Sequence, residues 1–156
     1  MTKLSGLLAV GLVGALGVPA WAAPPEACAC RPRSDHAVEE LGHHKSAFAG
    51  RVKDVREEGG SLLVTFDVHR VWKGPRGKQL TVKTDGAAGA CGYVFETGKD
   101  YLVYADGEKG ALATDRCAAN SDLADAGQAV RQLDLHTGRG ATPLQIPDRE
   151  AVSARR

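Results

Sequence analysis

Residues 62–72, LLVTFDVHRVW, decide the fold of this chain because they carry the clearest hydrophobic period in the sequence. The apolar side chains on one side are Leu62, Val64, Phe66, Val68 and Trp72. The opposite side carries Thr65, Asp67 and His69. Successive side chains of a strand point to opposite faces, so this alternation predicts a long strand with one buried face.

Further strands are predicted on both sides of this one. In residues 47–57, Phe48 and Val52 share one face and Arg51 and Lys53 share the other, and the Gly59-Gly60 pair then indicates a hairpin turn. The same reading predicts further strands over residues 80–84, 93–95, 101–105 and 111–117.

Two helices are predicted, one near each end of this strand-rich region. Ser34 or Asp35 can cap a short helix over residues 37–41, which ends near Gly42. Ser121 is predicted to cap a second helix that continues to Leu133, because its apolar residues recur at spacings of three and four.

These elements predict a mainly β fold. We expect a five-stranded, closed barrel of the oligonucleotide-binding type (OB fold), with a short N-terminal helix and a C-terminal helix. Closure would remove the exposed edges that five short strands otherwise carry.

The first 22 residues are typical of a secretory leader. Lys3 precedes an apolar run over residues 7–18, and Ala20 and Ala22 satisfy the small-x-small cleavage rule, so we expect cleavage before Ala23. The run is shorter than the roughly 20 residues that span a bilayer, so no membrane span is expected. The sequence therefore predicts a secreted or periplasmic protein.

The remaining chain is predicted to have three parts: an N-terminal arm over residues 23–27, one domain over residues 28–135, and a disordered, glycine- and proline-containing tail over residues 136–156. The full chain has 20 basic and 19 acidic residues, and loss of Lys3 with the leader makes these numbers equal. This balance argues against capture of nucleic acid or an anionic membrane. We expect a monomer.

Four cysteines in an exported chain predict two disulfides, because such compartments are oxidising. Cys28 and Cys30 on an extended segment would point to opposite sides, and a bridge between them would be a strained small ring. Two pairings with Cys91 and Cys117 then stay open. A metal or redox site made of Cys28 and Cys30 is disfavoured. Zinc sites usually have at least two residues between paired cysteines and a second pair of ligands nearby.

Other candidate motifs have ordinary structural explanations. His43 and His44 are adjacent, so they would point about 100° apart on a helix and are expected at the surface, and His69 is expected to be solvated. Glycines 86, 89 and 92 lead into a predicted strand rather than the helix that a phosphate site needs, which favours a flexible loop. We therefore expect no catalytic residue, no metal site and no cofactor.

Taken together, the motifs resemble the netrin-like domain, and within it the tissue inhibitors of metalloproteinases and their bacterial, single-domain relatives. The resemblance covers about residues 28–133. It rests on five groups of residues: Cys28-Ala29-Cys30, Ala47-Phe48-Ala49-Gly50-Arg51-Val52, Val71-Trp72-Lys73-Gly74, Cys91-Gly92 with Phe95 and Gly98, and Tyr101-Leu102-Val103-Tyr104 with Cys117.

This resemblance implies an OB-type barrel and bridges from Cys28 to Cys91 and from Cys30 to Cys117. It also implies a mechanism, since the animal inhibitors chelate the protease zinc with the free amino group and carbonyl oxygen of the first cysteine. Cleavage before Ala23 would leave five residues ahead of Cys28, and its nitrogen would then be an amide rather than an amine. Whether the mature chain begins at Ala23 or at Cys28 therefore matters for function.

The function expected is a secreted, non-catalytic binding module that contacts a protein through Cys28, Ala29, Cys30 and Arg31, with the loop at residues 86–89 beside them. A zinc metalloproteinase is the first candidate partner. Two alternatives stay open: a disulfide-stapled interaction or structural protein of the cell envelope, and a thiol redox or metal-binding protein.

Overall fold

The computed structural model describes residues 28–86 and 91–138. The elements in chain order are α1 (Ala37–His43), β1 (Ser46–Glu58), β2 (Ser61–Lys73), β3 (Gln79–Asp85), β4 (Asp100–Ala105), β5 (Leu112–Ala113), β6 (Ser121–Asp122) and α2 (Gly127–His136). The predicted leader, the predicted arm and the predicted tail beyond residue 138 lie outside the described residues. His136, the first residue of that predicted tail, is the last residue of α2.

The strands form one six-stranded sheet in the order β5-β3-β2-β1-β4-β6. A long antiparallel hairpin of β1 and β2 is its centre, and Gly59 and Gly60 supply the positive φ angles of the turn, at 59° and 80°. Antiparallel pairing adds β3 to β2, β4 to β1 and β6 to β4, whereas β5 pairs with β3 in parallel.

The sheet is open, so the predicted closed barrel is not supported. Its two edge strands, β5 and β6, have two residues each, and the strand pairs of the described residues do not join them to each other. An antiparallel bridge of two hydrogen bonds, at 2.9 and 2.8 Å, links Asp106, just after β4, to Ala113 of β5. Strands this short cannot provide the continuous ladder that a barrel needs.

Both faces of β4 and of residues 46–50 of β1 are buried, which explains why these stretches carry small or apolar residues in succession. One face packs around the aromatic rings of Phe48, Phe66 and Phe95, with ring centroids 5.2 to 5.3 Å apart. The other face is covered by α1, α2 and the segment after β5. This second cluster consists of Ala37, Leu41, Ala47, Ala49, Trp72, Leu102, Tyr104, Ala118, Leu123, Ala126 and Leu133.

A buried carboxylate fastens α2 to the sheet. Asp134 accepts a hydrogen bond from the indole Nε1 of Trp72 at 2.7 Å and another from Arg70 at 2.5 Å. The two donors satisfy a charge that burial would otherwise penalise. This contact fixes the second helix over β2.

Three of the predicted elements differ in the structure. Residues 93–95 are irregular rather than a strand, and the extended piece predicted over residues 111–117 is a strand only at Leu112–Ala113. Ser121 begins β6 rather than a helix, because Leu123 donates its backbone N–H to the Asp100 carbonyl at 2.8 Å and so keeps this segment beside β4. The helix starts later, at Gly127.

Neither helix among the described residues is long and apolar enough to cross a bilayer.

Candidate protein-binding edge at the two disulfides

Two disulfides join distant parts of the chain at one end of the sheet. Cys28 is bonded to Cys91 and Cys30 to Cys117, across sequence separations of 63 and 87 residues. These are the pairs that the family resemblance implies. The bridges pack against each other, with the Sγ atoms of Cys28 and Cys117 3.4 Å apart.

Residues 28–33, which we call the cysteine edge, have no regular secondary structure. Ala29, Cys30 and Arg31 are exposed, whereas Cys28 is half-buried. The segment therefore combines solvent access with covalent attachment at two residues that are only two positions apart. The four residues predicted to contact a partner, Cys28, Ala29, Cys30 and Arg31, all belong to the cysteine edge.

Glu40 of α1 holds the cysteine edge by a second, noncovalent set of contacts. Glu40 is only 1% exposed. Its carboxylate accepts hydrogen bonds from the Arg31 guanidinium at 2.7 Å and from the Ser34 N–H at 2.8 Å. Burial by itself would raise the pKa of Glu40, but these two hydrogen bonds and the charges of Arg31 and His44 outweigh it and hold the pKa below its ordinary value. Glu40 is thus an anionic anchor for the edge.

Backbone contacts tie the same edge to both downstream cysteines. Arg33 donates to the carbonyl oxygen of Arg116, and the Arg116 N–H donates to the carbonyl oxygen of Cys91 at 2.8 Å. Asp115 accepts the Cys117 N–H at 2.8 Å. The three cysteine-bearing segments are consequently held together by contacts that do not involve sulfur.

The chain after Cys91 lies close against β3, and residues 87–90 of the predicted flexible loop lie outside the described residues. A Cβ atom added to Gly92 would lie 2.3 Å from the Asp85 carbonyl oxygen, so only glycine fits there without movement. The next residue, Tyr93, donates its N–H to the Thr84 hydroxyl at 2.9 Å. Gly86 is buried, while Gly89 lies outside the described residues.

Val94 is an exposed apolar residue beside this end of the molecule. Its side chain is 74% exposed, whereas the neighbouring Phe95 is buried against Tyr101, with ring centroids 5.1 Å apart. Tyr93 also contacts Phe95, at 4.6 Å between centroids. The aromatic packing fixes the segment and leaves Val94 directed to solvent.

His44 is not the free surface histidine that the sequence predicted. Its Nδ1 lies 2.9 Å from a carboxylate oxygen of Asp106, and its ring lies 5.6 Å from that of Tyr104. Burial would raise the pKa of Asp106, but hydrogen bonds from His44 and the Lys45 N–H outweigh it and lower the pKa. His44, Asp106 and Tyr104 line an open cavity of about 460 Å³ that extends to Cys91.

A second charged cluster lies on β1, β2 and β4, and the sequence did not reveal it. Asp100 accepts hydrogen bonds from the His69 Nε2 at 2.7 Å and from the Arg51 guanidinium at 2.7 Å. Burial would raise the pKa of Asp100, yet the two donors and their charges lower it. His69, which was expected to be solvated, is therefore a member of this cluster. Only the pairing of three strands brings these residues together, so no local sequence signal could have found them.

Among the described residues, the cysteines also form the one group that could hold a metal ion. The Sγ atoms of Cys28, Cys30 and Cys117 all lie within 4.8 Å of one another. In the oxidised protein these sulfurs belong to disulfides and offer no thiolate.

No protein-family model matches this chain, and no curated protein matches it.

Proposed function

We propose that this protein is a non-catalytic binding module of an oxidising, extracytoplasmic compartment, which contacts a partner protein through Cys28, Ala29, Cys30 and Arg31. One observation carries the proposal: an exposed, irregular segment is fixed by two disulfides and by an ion pair between the exposed Arg31 and the buried Glu40.

Rigidity supports binding because a segment that is already ordered loses little conformational entropy when it docks. Each immobilised, rotamer-rich side chain costs an interface roughly 0.5–1.5 kcal/mol, and flexible backbone costs more. Arg31 is already held by Glu40, and Cys28 and Cys30 are held covalently. Docking of the cysteine edge would therefore lose little conformational entropy, and more of the contact free energy would remain as affinity.

The small size of the edge favours a partner with a cleft. A short extended segment with a single small side chain, Ala29, between two bridges can enter a groove where a bulkier surface cannot. The resemblance to the tissue inhibitors of metalloproteinases makes a zinc metalloproteinase the first candidate. In that arrangement the amine and carbonyl of a first-residue Cys28 would occupy the position that a catalytic zinc keeps open for water.

Inhibition titrations with matched variants test this function. The oxidised form that begins at Cys28 is titrated against a panel of secreted zinc metalloproteinases, beside its variants Ala29→Arg and, as the control, Ala111→Arg. Both alanines are exposed, but Ala111 lies in the turn before β5 rather than on the cysteine edge. Ala29→Arg should weaken inhibition at least about tenfold, because the added side chain blocks entry to a cleft, and Ala111→Arg should leave inhibition unchanged.

Two results would count against the proposal. Equal inhibition by Ala29→Arg and the unmodified protein would place the contact elsewhere. Absence of inhibition across the whole panel would remove the metalloproteinase as partner. Circular dichroism of each variant shows whether the sheet is retained.

A further inference from the structure

We infer that Cys28, Cys30, Cys91 and Cys117, once reduced, form a four-thiolate site for one soft divalent ion of the zinc class. This goes beyond a binding edge, because it gives the same four residues a second, reduced state with its own ligand. The spacing of Cys28 and Cys30 alone does not make such a site. The fold supplies the second ligand pair that the spacing lacks.

Three of the four sulfurs already lie close enough to share one ion. The Sγ atoms of Cys28 and Cys117, which are not bonded to each other, are 3.4 Å apart, and the three sulfurs of Cys28, Cys30 and Cys117 lie within 4.8 Å of one another. Cys91, which is bonded to Cys28, lies outside this group and would have to move toward it to become the fourth ligand. Zinc–sulfur bonds of about 2.3 Å place tetrahedral ligands about 3.8 Å apart. Disulfide sulfurs are about 2 Å apart, so each pair must separate by roughly 2 Å.

Hydrogen bonds that do not involve sulfur also hold the backbone around the cysteines. Arg116 bonds to the carbonyl of Cys91, Asp115 bonds to the N–H of Cys117, and Glu40 holds Arg31 and Ser34. These contacts oppose separation of the cysteine-bearing segments after reduction. A partly preformed site binds a metal more strongly than four cysteines of an unfolded chain.

The ligand type selects the ion. Four thiolates are soft donors, which favour zinc, cadmium or cuprous copper over magnesium or calcium. One divalent ion with four thiolates carries two negative charges. Arg31 and Arg116 adjoin Cys30 and Cys117 in the chain, and Arg33 contacts the Arg116 carbonyl. The carboxylates of Glu40, paired with Arg31, and of Asp115, bonded to the Cys117 N–H, offset part of this positive charge.

The chemistry balances with an external reductant. Each disulfide of the protein takes two electrons and two protons from an external dithiol and becomes two thiols. The dithiol is oxidised to its own disulfide in the same step. The four thiols then release up to four protons as they bind one divalent ion. Oxidation runs this in reverse: the two bridges re-form and the ion is released.

Cobalt and zinc titrations of the reduced protein test this site. The full chain is reduced with a phosphine under nitrogen and titrated with Co²⁺, then with Zn²⁺. We expect one ion per chain, the visible absorption of tetrahedral cobalt thiolate, and displacement of cobalt by zinc. The oxidised protein should bind neither ion at this site.

Single substitutions assign the ligands. We expect zinc binding to weaken at least about 100-fold in each of four variants: Cys28→Ser, Cys30→Ser, Cys91→Ser and Cys117→Ser. Loss of a group that only supports a metal ligand already costs up to about 100-fold. The control His43→Ala removes an exposed side chain that can ligate metal but is not in the cysteine group, and it should leave the affinity unchanged.

Three outcomes would overturn the proposal. The reduced protein could bind no cobalt, or it could bind cobalt with an affinity that Cys91→Ser and Cys117→Ser do not change. In the third outcome, reduction unfolds the chain and zinc does not restore the fold, which circular dichroism would show. Recovery of the sheet on addition of one equivalent of zinc would support the proposal.

Discussion

Glu40 is almost wholly buried in α1, yet its carboxylate lies 2.7 Å from the guanidinium of Arg31, a residue of the exposed cysteine edge. This pair connects the interior of the domain to the surface that we propose as the binding site. It acts beside the disulfides, so the edge has both a covalent and an ionic anchor.

Glu40→Gln should destabilise the oxidised protein by about 1–3 kcal/mol, the usual cost of hydrogen bonds to a charged group together with an unsatisfied buried group. The change keeps the size of the side chain but removes the negative charge that Arg31 faces. Urea denaturation measures the free energy of unfolding. The control Glu39→Gln removes a surface contact with the Ser34 hydroxyl and should cost less than about 0.5 kcal/mol. Equal effects of the two substitutions would contradict an anchoring role for Glu40.

Asp100 should make stability dependent on acid pH. Its pKa is lowered below the ordinary value of 3.8 in the folded protein. A lowered pKa contributes stability above pH 3.8, and this contribution is lost as the pH falls through the folded-state pKa. Asp100→Asn should therefore be less stable than the unmodified protein at pH 7, and the difference should shrink below pH 3.8. Denaturation curves at several pH values measure it, and a difference that is constant with pH would contradict the assignment.

Gly92→Ala should destabilise the protein by roughly 1–3 kcal/mol, because its Cβ atom would lie 2.3 Å from the backbone oxygen of Asp85. The segment would have to move away from β3, and Cys91 would move with it. Gly42→Ala is the control, since a Cβ there has no atom within 4 Å and alanine favours the helix by roughly 0.5–1 kcal/mol. Thermal or urea unfolding should therefore shift in opposite directions for the two variants, and a shift in the same direction would argue against close packing at Gly92.

Loss of one disulfide should cost about 2–5 kcal/mol. The double variant Cys30→Ala/Cys117→Ala removes the bridge with the larger sequence separation, 87 residues, and leaves Cys28–Cys91 closed. Urea denaturation under oxidising conditions measures the loss. Amide exchange of residues 29–31 and of Arg33 should also become faster, because only one bridge then holds the edge. Unchanged exchange would show that Glu40 and the backbone contacts alone keep the edge in place.

The regular part of the fold was predictable from sequence because it depends on local periodicity. The apolar residues Leu62, Val64, Phe66 and Val68 alternate, and β2 spans Ser61–Lys73; the Gly59-Gly60 pair likewise predicted the β1–β2 hairpin. The prediction that Trp72 shares their face was wrong, because a register shift after Val68 turns Trp72 to the opposite face, under α1 and α2. Ser121 misled the prediction because a good capping residue can instead pair with a strand, and contacts with β4 decide between the two. The number of predicted strands could not show whether the sheet closes into a barrel. Closure requires edge strands long enough to pair with each other, and the length of β5 and β6 was not predicted.

The site was only partly predictable. The sequence indicated Cys28 to Arg31 as a surface segment, but nothing local pointed to Glu40, which is a buried acid in an amphipathic helix. The clusters of Asp100 with His69 and of Asp106 with His44 also join residues that are 31 and 62 positions apart. Such pairs follow from the register of the strands, which a periodicity argument does not provide.

The most direct test compares two oxidised forms of the protein, one beginning at Ala23 and one beginning at Cys28, as inhibitors of the same zinc metalloproteinases. The form that begins at Cys28 has a free amine beside the carbonyl of an anchored residue, and we predict that it inhibits at least about 100-fold more strongly, a difference of about 2.7 kcal/mol. Equal inhibition by the two forms, or none by either, would contradict inhibition through the cysteine edge.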